Sequence, residues 1–197
     1  MSEQAYHILS IDIGIKNLGW AIIEFNKLGK KVLEDLSITF NIYDISKHLP
    51  KRKDIVSGRC EALLQFFQPL FAKYNSFKTI IIERQVNRNT MAMELMYAIT
   101  MAIKILNGPN SEIIIFDPKD KFLKLGLEYS TKNKAHKKQS ILYAHKLVES
   151  YWSDLLPTFN DFEKKDDISD ALNQALVWMV HNGYLNYSVD EYVELIN

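Results

Sequence analysis

Residues 7–25 read HILSIDIGIKNLGWAIIEF, and the rest of the chain is organised around them. Ile8, Leu9, Ile11, Ile13 and Ile15 form an apolar, largely β-branched run too dense for a solvent-facing strand, interrupted by one acid, Asp12. Gly14 and Lys16-Asn17-Leu18-Gly19 follow, and a second apolar run begins at Trp20. The pattern predicts a hairpin of two buried strands. A carboxylate in a buried strand is costly to desolvate unless a positive charge faces it. Asp12 is therefore either a structural acid paired with a cation, for which Lys16 is at hand, or a metal ligand presented at a cleft. Gly14, with no side chain, lets backbone, metal or substrate come close in the second case.

Working outward, residues 26–30 read as a turn and residues 32–43 alternate as a third strand. Three strands joined by short turns should be antiparallel neighbours. Residues 48–53 form a loop with Pro50, and residues 54–74 show helical spacing, with Pro69 expected to kink the helix or divide it. Residues 77–83 are a nearly all-apolar run ending in Glu83, the pattern of a buried parallel strand. A polar loop leads to a helix over residues 90–106, capped by Asn89 or Thr90 and stopped by Asn107-Gly108-Pro109. It is apolar almost all round, which suits a central helix or a subunit interface. Residues 111–116 repeat the strand pattern and end at Asp117-Pro118. Helices follow from about 135 to 151, closed by Leu155-Leu156-Pro157, and from about 166 to 180, stopped by Asn182-Gly183; a short acidic helix ends the chain. Three antiparallel strands followed by two α-linked parallel ones is the order of the α/β ribonuclease H-like fold, a mixed five-stranded sheet flanked by helices.

The chain's 197 residues suffice for one such domain over 1–197, with a core at about 7–183 and a short C-terminal helical extension. No stretch approaches the roughly 20 apolar residues of a membrane span, and MSEQAYH lacks the basic region of a signal peptide. The single cysteine, Cys60, reads as a small helix residue and fits a reducing, intracellular setting. Lys plus Arg equals Asp plus Glu at 24 each, but residues 119–138 hold seven lysines against Asp120 and Glu128. A neutral total with one basic face suits a protein that meets a polyanion on one side. A solvated surface is the bland reading of the same run.

The last long helix opens Lys164-Lys165-Asp166-Asp167-Ile168-Ser169-Asp170. Asp167 and Asp170, three apart, share a helix face and can be aimed at Asp12 and Glu83. Dipole-favoured acids at a helix start explain Asp166 and Asp167. They do not explain acids in two apolar strands as well. Carboxylates gathered from three elements would repel one another unless divalent cations neutralised them, and hard oxygen ligands suit Mg²⁺ or Mn²⁺. Two such ions would activate a water and stabilise the leaving oxygen in phosphodiester hydrolysis. A lysine at the start of the preceding helix, Lys137 or Lys138, could hold the scissile phosphate. His136 and His145 read as surface or phosphate-adjacent residues.

Ile11-Asp12-Ile13-Gly14-Ile15-Lys16-Asn17-Leu18-Gly19, Ile81-Ile82-Glu83, Lys137-Lys138-x-Ser140 and Lys164-Lys165-Asp166-Asp167-x-x-Asp170-Ala171 together resemble Holliday junction resolvases of the RuvC superfamily, in their poxvirus and fungal mitochondrial branch. The resemblance spans about residues 7–180. It implies a homodimeric, Mg²⁺-dependent endonuclease, with two ions per site and Mn²⁺ able to substitute, that makes paired symmetric nicks in four-way DNA junctions and other branched DNA. It carries the catalytic acids and metal ligands onto Asp12, Glu83, Asp167 and Asp170, and the catalytic lysine onto Lys137, with Lys138 the competing register. Asp166 has no counterpart in the bacterial motif. Arg84, Arg88, Lys132, Lys134 and Lys138 are the implied DNA contacts, and residues 91–106 the implied contribution to a dimer interface. A poxvirus relative would resolve concatemeric genomes in the host cytoplasm; nothing N-terminal reads as a mitochondrial transit peptide. One rival is a nuclease of the same fold acting on structured RNA or on other branched DNA. An actin-like ATPase would need a second copy of the fold and a Gly-rich phosphate loop, and a dead junction-binding module would have lost an acid.

Overall fold

The opening run folds as two antiparallel strands, β1 (Ala5–Asp12) and β2 (Leu18–Asn26), with Ile11 opposite Trp20 and Asp12 opposite Gly19. The computed structural model describes residues 5–14, 16–26, 29–48, 55–74, 77–85, 89–108, 111–127 and 133–196. The third strand, β3 (Ser37–Tyr43), is shorter than its alternation suggests. Residues Leu33–Asp35 instead form a 3-10 turn, in which the Asp35 carboxylate accepts from the Val32 N–H at 3.1 Å. Leu33 and Leu36, three apart, are both buried by that turn.

Helix α1 (Ile55–Tyr74) runs unbroken through Pro69. The carbonyl that Pro69 leaves without its helical donor belongs to Gln65, and both residues lie on the exposed side, where water can serve it. Strand β4 (Thr79–Glu83) follows, then helix α2 (Thr90–Asn107), whose N-cap Asn89 accepts from the Ala92 N–H at 3.2 Å, then β5 (Glu112–Phe116). β4 lies parallel to β1 and β5 parallel to β4, giving the mixed order β3-β2-β1-β4-β5. This is the expected ribonuclease H-like sheet.

The remaining helices are α3 (Asp120–Leu123), α4 (Asn133–Tyr151), α5 (Leu156–Asp161), α6 (Lys165–His181) and α7 (Val189–Ile196). Two of them, α3 and α5, fall where the sequence suggests loop or helix stop. Pro157 sits in the first turn of α5, where its missing N–H costs nothing. Each face of the sheet has its own core. Leu9, Ile11, Trp20, Ile80 and Ile82 meet α1 and α2. On the other face Ile8, Ala21, Ile23 and Ile81 meet α4 and α6. Helix α6 lies between that face and α4 and is buried nearly throughout from Ile168 to Val180. Beyond it the chain bonds back to Lys31 through Tyr184 and Asn186, and α7 buries Tyr192 and Ile196 against α4 and α6. Among the described residues no helix is long and apolar enough to cross a membrane.

Candidate active site

Strand parity aims the first two acids. Side chains alternate between the faces of a strand, so Asp12 shares the α6 face with Ile8, and Glu83 shares it with Ile81. Because Ile11 pairs with Ile82, the next residues, Asp12 and Glu83, end neighbouring strands side by side. Their carboxyl groups hydrogen-bond to each other. Burial, reinforced by the Glu83 and Asp170 charges, drives the Asp12 pKa well above the usual carboxylate value. Burial opposes ionisation of Glu83 too, but the Lys121 ammonium and the hydrogen bond from Asp12 hold its pKa below the usual value. Burial thus resists charge on Asp12, while Lys121 favours it on Glu83.

Gly19, opposite Asp12, gives α6 room to approach. A Cβ there would stand 2.3 Å from the Asp167 backbone oxygen, which no side chain permits. Gln174, one turn beyond Asp170, fixes the helix to the sheet from a fully buried position, donating to Ser10 Oγ at 3.0 Å. So placed, α6 carries Asp166 and Asp167 in its first turn and brings Asp170, in the next, beside the ends of β1 and β4. Asp167 Oδ2 is buried with no hydrogen-bond partner among the described residues. Burial, then the Asp166 charge, pushes the Asp167 pKa up to about 6. Asp170 Oδ1 accepts from Ser140 Oγ at 2.7 Å and from Lys121 Nζ at 2.9 Å. Asn173 holds Ser140 in turn, donating to its carbonyl at 2.8 Å.

Lys121, from α3, also lies 3.5 Å from Glu83 Oε1 and is only 5 % exposed. Burial alone would lower its pKa, but the carboxylates of Glu83, Asp170 and Asp12 raise it, so the ammonium is permanent. Lys121 is thus the cation beside Asp12, while Lys16 is exposed and makes no ion pair with it among the described residues. Reading the whole run 119–138 as one solvent-facing basic surface is corrected here: Lys121 points inward. Lys137, on α4, pairs with Asp166, and that hydrogen bond first of all raises its pKa. Glu83, Lys121, His136, Lys137 and Asp170 line a cleft of about 140 Å³, to which Lys138, exposed on α4, contributes nothing. His136 lies against the Phe122 ring, 5.4 Å between centroids. Arg84 is exposed and 3.9 Å from Asp117. Arg88 and Lys132 lie outside the described residues, as does the side chain of Lys134.

Among the described residues no three acids already stand at the spacing of a metal's ligand shell, because Lys121 holds Glu83 and Asp170 on itself. The donor set still fits a hard divalent cation. It consists of carboxylates, and one of them, Asp167, carries a buried oxygen with no hydrogen-bond partner among the described residues. Sequence reasoning passed over Lys121, Ser140, Asn173 and Gln174. Only Ser140 left a trace, as the last residue of the Lys137-Lys138-x-Ser140 motif.

The model of the family described as "Poxvirus A22 protein" matches residues 7–182. Among curated proteins none matches this chain. A crystal structure of fowlpox virus resolvase with its Holliday junction DNA superposes with a TM-score of 0.61 at 21 % identity, covering 88 % of this chain and 96 % of that one. For the yeast mitochondrial Holliday junction resolvase the values are 0.62 and 19 %, over 95 % and 83 % of the two chains. RuvC of Thermus thermophilus gives 0.55 and 14 %, over 87 % and 92 %.

Proposed function

The chain belongs to the poxvirus A22 protein family, and we propose that it is a nuclease that resolves four-way DNA junctions. The observation that carries the reading is the Asp12–Glu83 pair at adjacent strand ends, with Asp170 of α6 brought beside it through Lys121 at a cleft that also holds Lys137. Asp12, Glu83, Asp167 and Asp170 would hold Mg²⁺, two ions per site with Mn²⁺ substituting. When bound, these ions supply an activated water and neutralise charge on the leaving oxygen. Lys137 lies at the cleft with Asp166 as its tether and receives the scissile phosphate, offering a fixed positive charge to the oxygens on which charge develops. Ser140 and Asn173 keep Asp170 in one orientation. The exposed lysine face of α4 and Arg84 draw the phosphate backbone in.

Paired symmetric nicks need two copies of this site. Helix α2 leaves Tyr97, Met101 and Ile105 uncovered at 59 %, 61 % and 72 % exposure, beside Cys60 and Leu64 of α1. A second copy seated there forms a homodimer with two clefts. In an infected host's cytoplasm such an enzyme resolves concatemeric genomes and other branched DNA.

The test is incubation with a mobile four-way junction, a matched duplex and a bubble, each with Mg²⁺ and with EDTA. Metal-dependent, bilaterally symmetric nicks on the junction alone are expected, and Asp167→Asn should bind the junction without cutting it. Equal cutting of the plain duplex would leave a nuclease but defeat the resolvase reading.

A further inference from the structure

Two of the four acids already face a positive charge from within the protein. Lys121 bridges Asp170 and Glu83 at 2.9 and 3.5 Å. Lys121 is buried at 5 % exposure on a helix of four residues, and its ammonium lies where oxygens of two strand and helix ends meet. A dication drawn to Glu83 and Asp170 would meet a positive charge within a few ångströms, in surroundings that screen it poorly. Both cannot keep the same carboxylate oxygens. Lys121, Glu83 and Asp170 line the same cleft of about 140 Å³ as Lys137, so a DNA phosphate seated there is the partner to which the ammonium can turn.

We propose that Lys121 is a built-in counter-ion that competes with divalent metal for Glu83 and Asp170, so that metal loads tightly only once a DNA phosphate has taken over the ammonium. This rests on the metal-dependent nuclease reading and adds an ordering to it. Free enzyme is metal-poor, and substrate tightens metal binding. By linkage, metal tightens substrate binding by the same factor. The device restrains hydrolysis where no phosphate occupies the cleft.

The experiment is calorimetric titration of the full chain with Mn²⁺, without DNA, for wild type, Lys121→Gln and Lys121→Arg. The glutamine variant should bind Mn²⁺ at least tenfold more tightly than wild type, while the arginine variant, which keeps the charge, stays near wild type. Repeating the titration with a four-way junction built on hydrolysis-resistant phosphorothioate linkages should tighten Mn²⁺ binding several-fold in wild type and not in Lys121→Gln. Equal or weaker Mn²⁺ binding by Lys121→Gln overturns the proposal while leaving the metal site standing. Absence of Mn²⁺ binding in wild type and in the glutamine variant overturns the proposal together with the metal reading. If Lys121→Gln is poorly folded without metal, the readout becomes the Mn²⁺-induced rise in melting temperature by circular dichroism. That rise should exceed the wild-type value, and a smaller one counts against competition.

Discussion

Asp167 carries a carboxylate oxygen that is buried with no hydrogen-bond partner among the described residues, and its pKa rises from 3.8 to about 6. A group whose pKa is raised by folding stabilises the folded state while protonated. Its contribution is complete below the unfolded value and disappears as pH climbs through the folded one. Asp12, also raised, acts with the same sign, and Glu83, lowered, acts against them. Metal-free protein should therefore lose stability between about pH 4 and pH 7 on account of Asp167, by about 1 kcal/mol once its partial exposure is allowed for. Urea denaturation in EDTA at the two ends of that range should show Asp167→Asn gaining about that much at the upper end and depending less on pH. A variant no more stable than wild type at neutral pH would mean that the acid is comfortably solvated. At this scale the sequence was legible where a residue broke its own local pattern. Asp12 and Glu83 stand out because they sit in apolar strands. Lys121 does not stand out among seven lysines, since what turns it inward is the position of β5 and α6, which no local spacing encodes. Gly19 is equally silent, because the backbone it makes room for belongs to Asp167, far along the chain.

Elements followed their sequence pattern where it was plain: β1 and β4, apolar on both faces, are buried on both, and α2 buries one face. They departed from it where a short polar motif overrode the alternation, as the Asp35 carboxylate does ahead of β3. Proline was read too strongly as a breaker. Pro69 lies on the exposed side of α1, and Pro157 within the first turn of α5. Helix α6 shows the opposite case, a helix whose apolar stripe is plain but whose seating depends on one buried polar side chain. Gln174 donates to Ser10 Oγ and lies 3.4 Å from the carbonyl oxygens of Ile11 and Ile81, spanning the two strands that end in Asp12 and Glu83. Gln174→Met keeps the volume and removes those donors. It should cost about 1–3 kcal/mol in urea denaturation, the usual penalty for leaving buried polar groups unpaired. It should also lower junction cleavage more than junction binding, because the acids lose their register while the exposed lysines of α4 do not.

At the scale of the molecule, the sheet order and the two cores followed from the chain order of strands and helices, while the partner face did not. A helix apolar all round fits a central place or an interface; Leu95, Ile99 and Ile103 of α2 are buried in the core, and Tyr97, Met101 and Ile105 are left exposed for the proposed partner. Tyr97→Glu with Ile105→Glu should leave the fold intact, since neither side chain enters a core. In analytical ultracentrifugation the double variant should sediment as a monomer, and on a junction it should yield unpaired nicks in place of symmetric pairs. A dimer that survives both charges would place the interface elsewhere.

The hydrogen bond from Gln174 to Ser10 joins residues 164 positions apart. β1 leaves the ribosome well before α6, so the strand acids and the helix acids meet only after α6 has been made. A partly made chain can form its hairpin, its strands and even its basic helix, and still has no nuclease site. The proposed site's acids are thereby timed as well as positioned, and the site comes together only with α6.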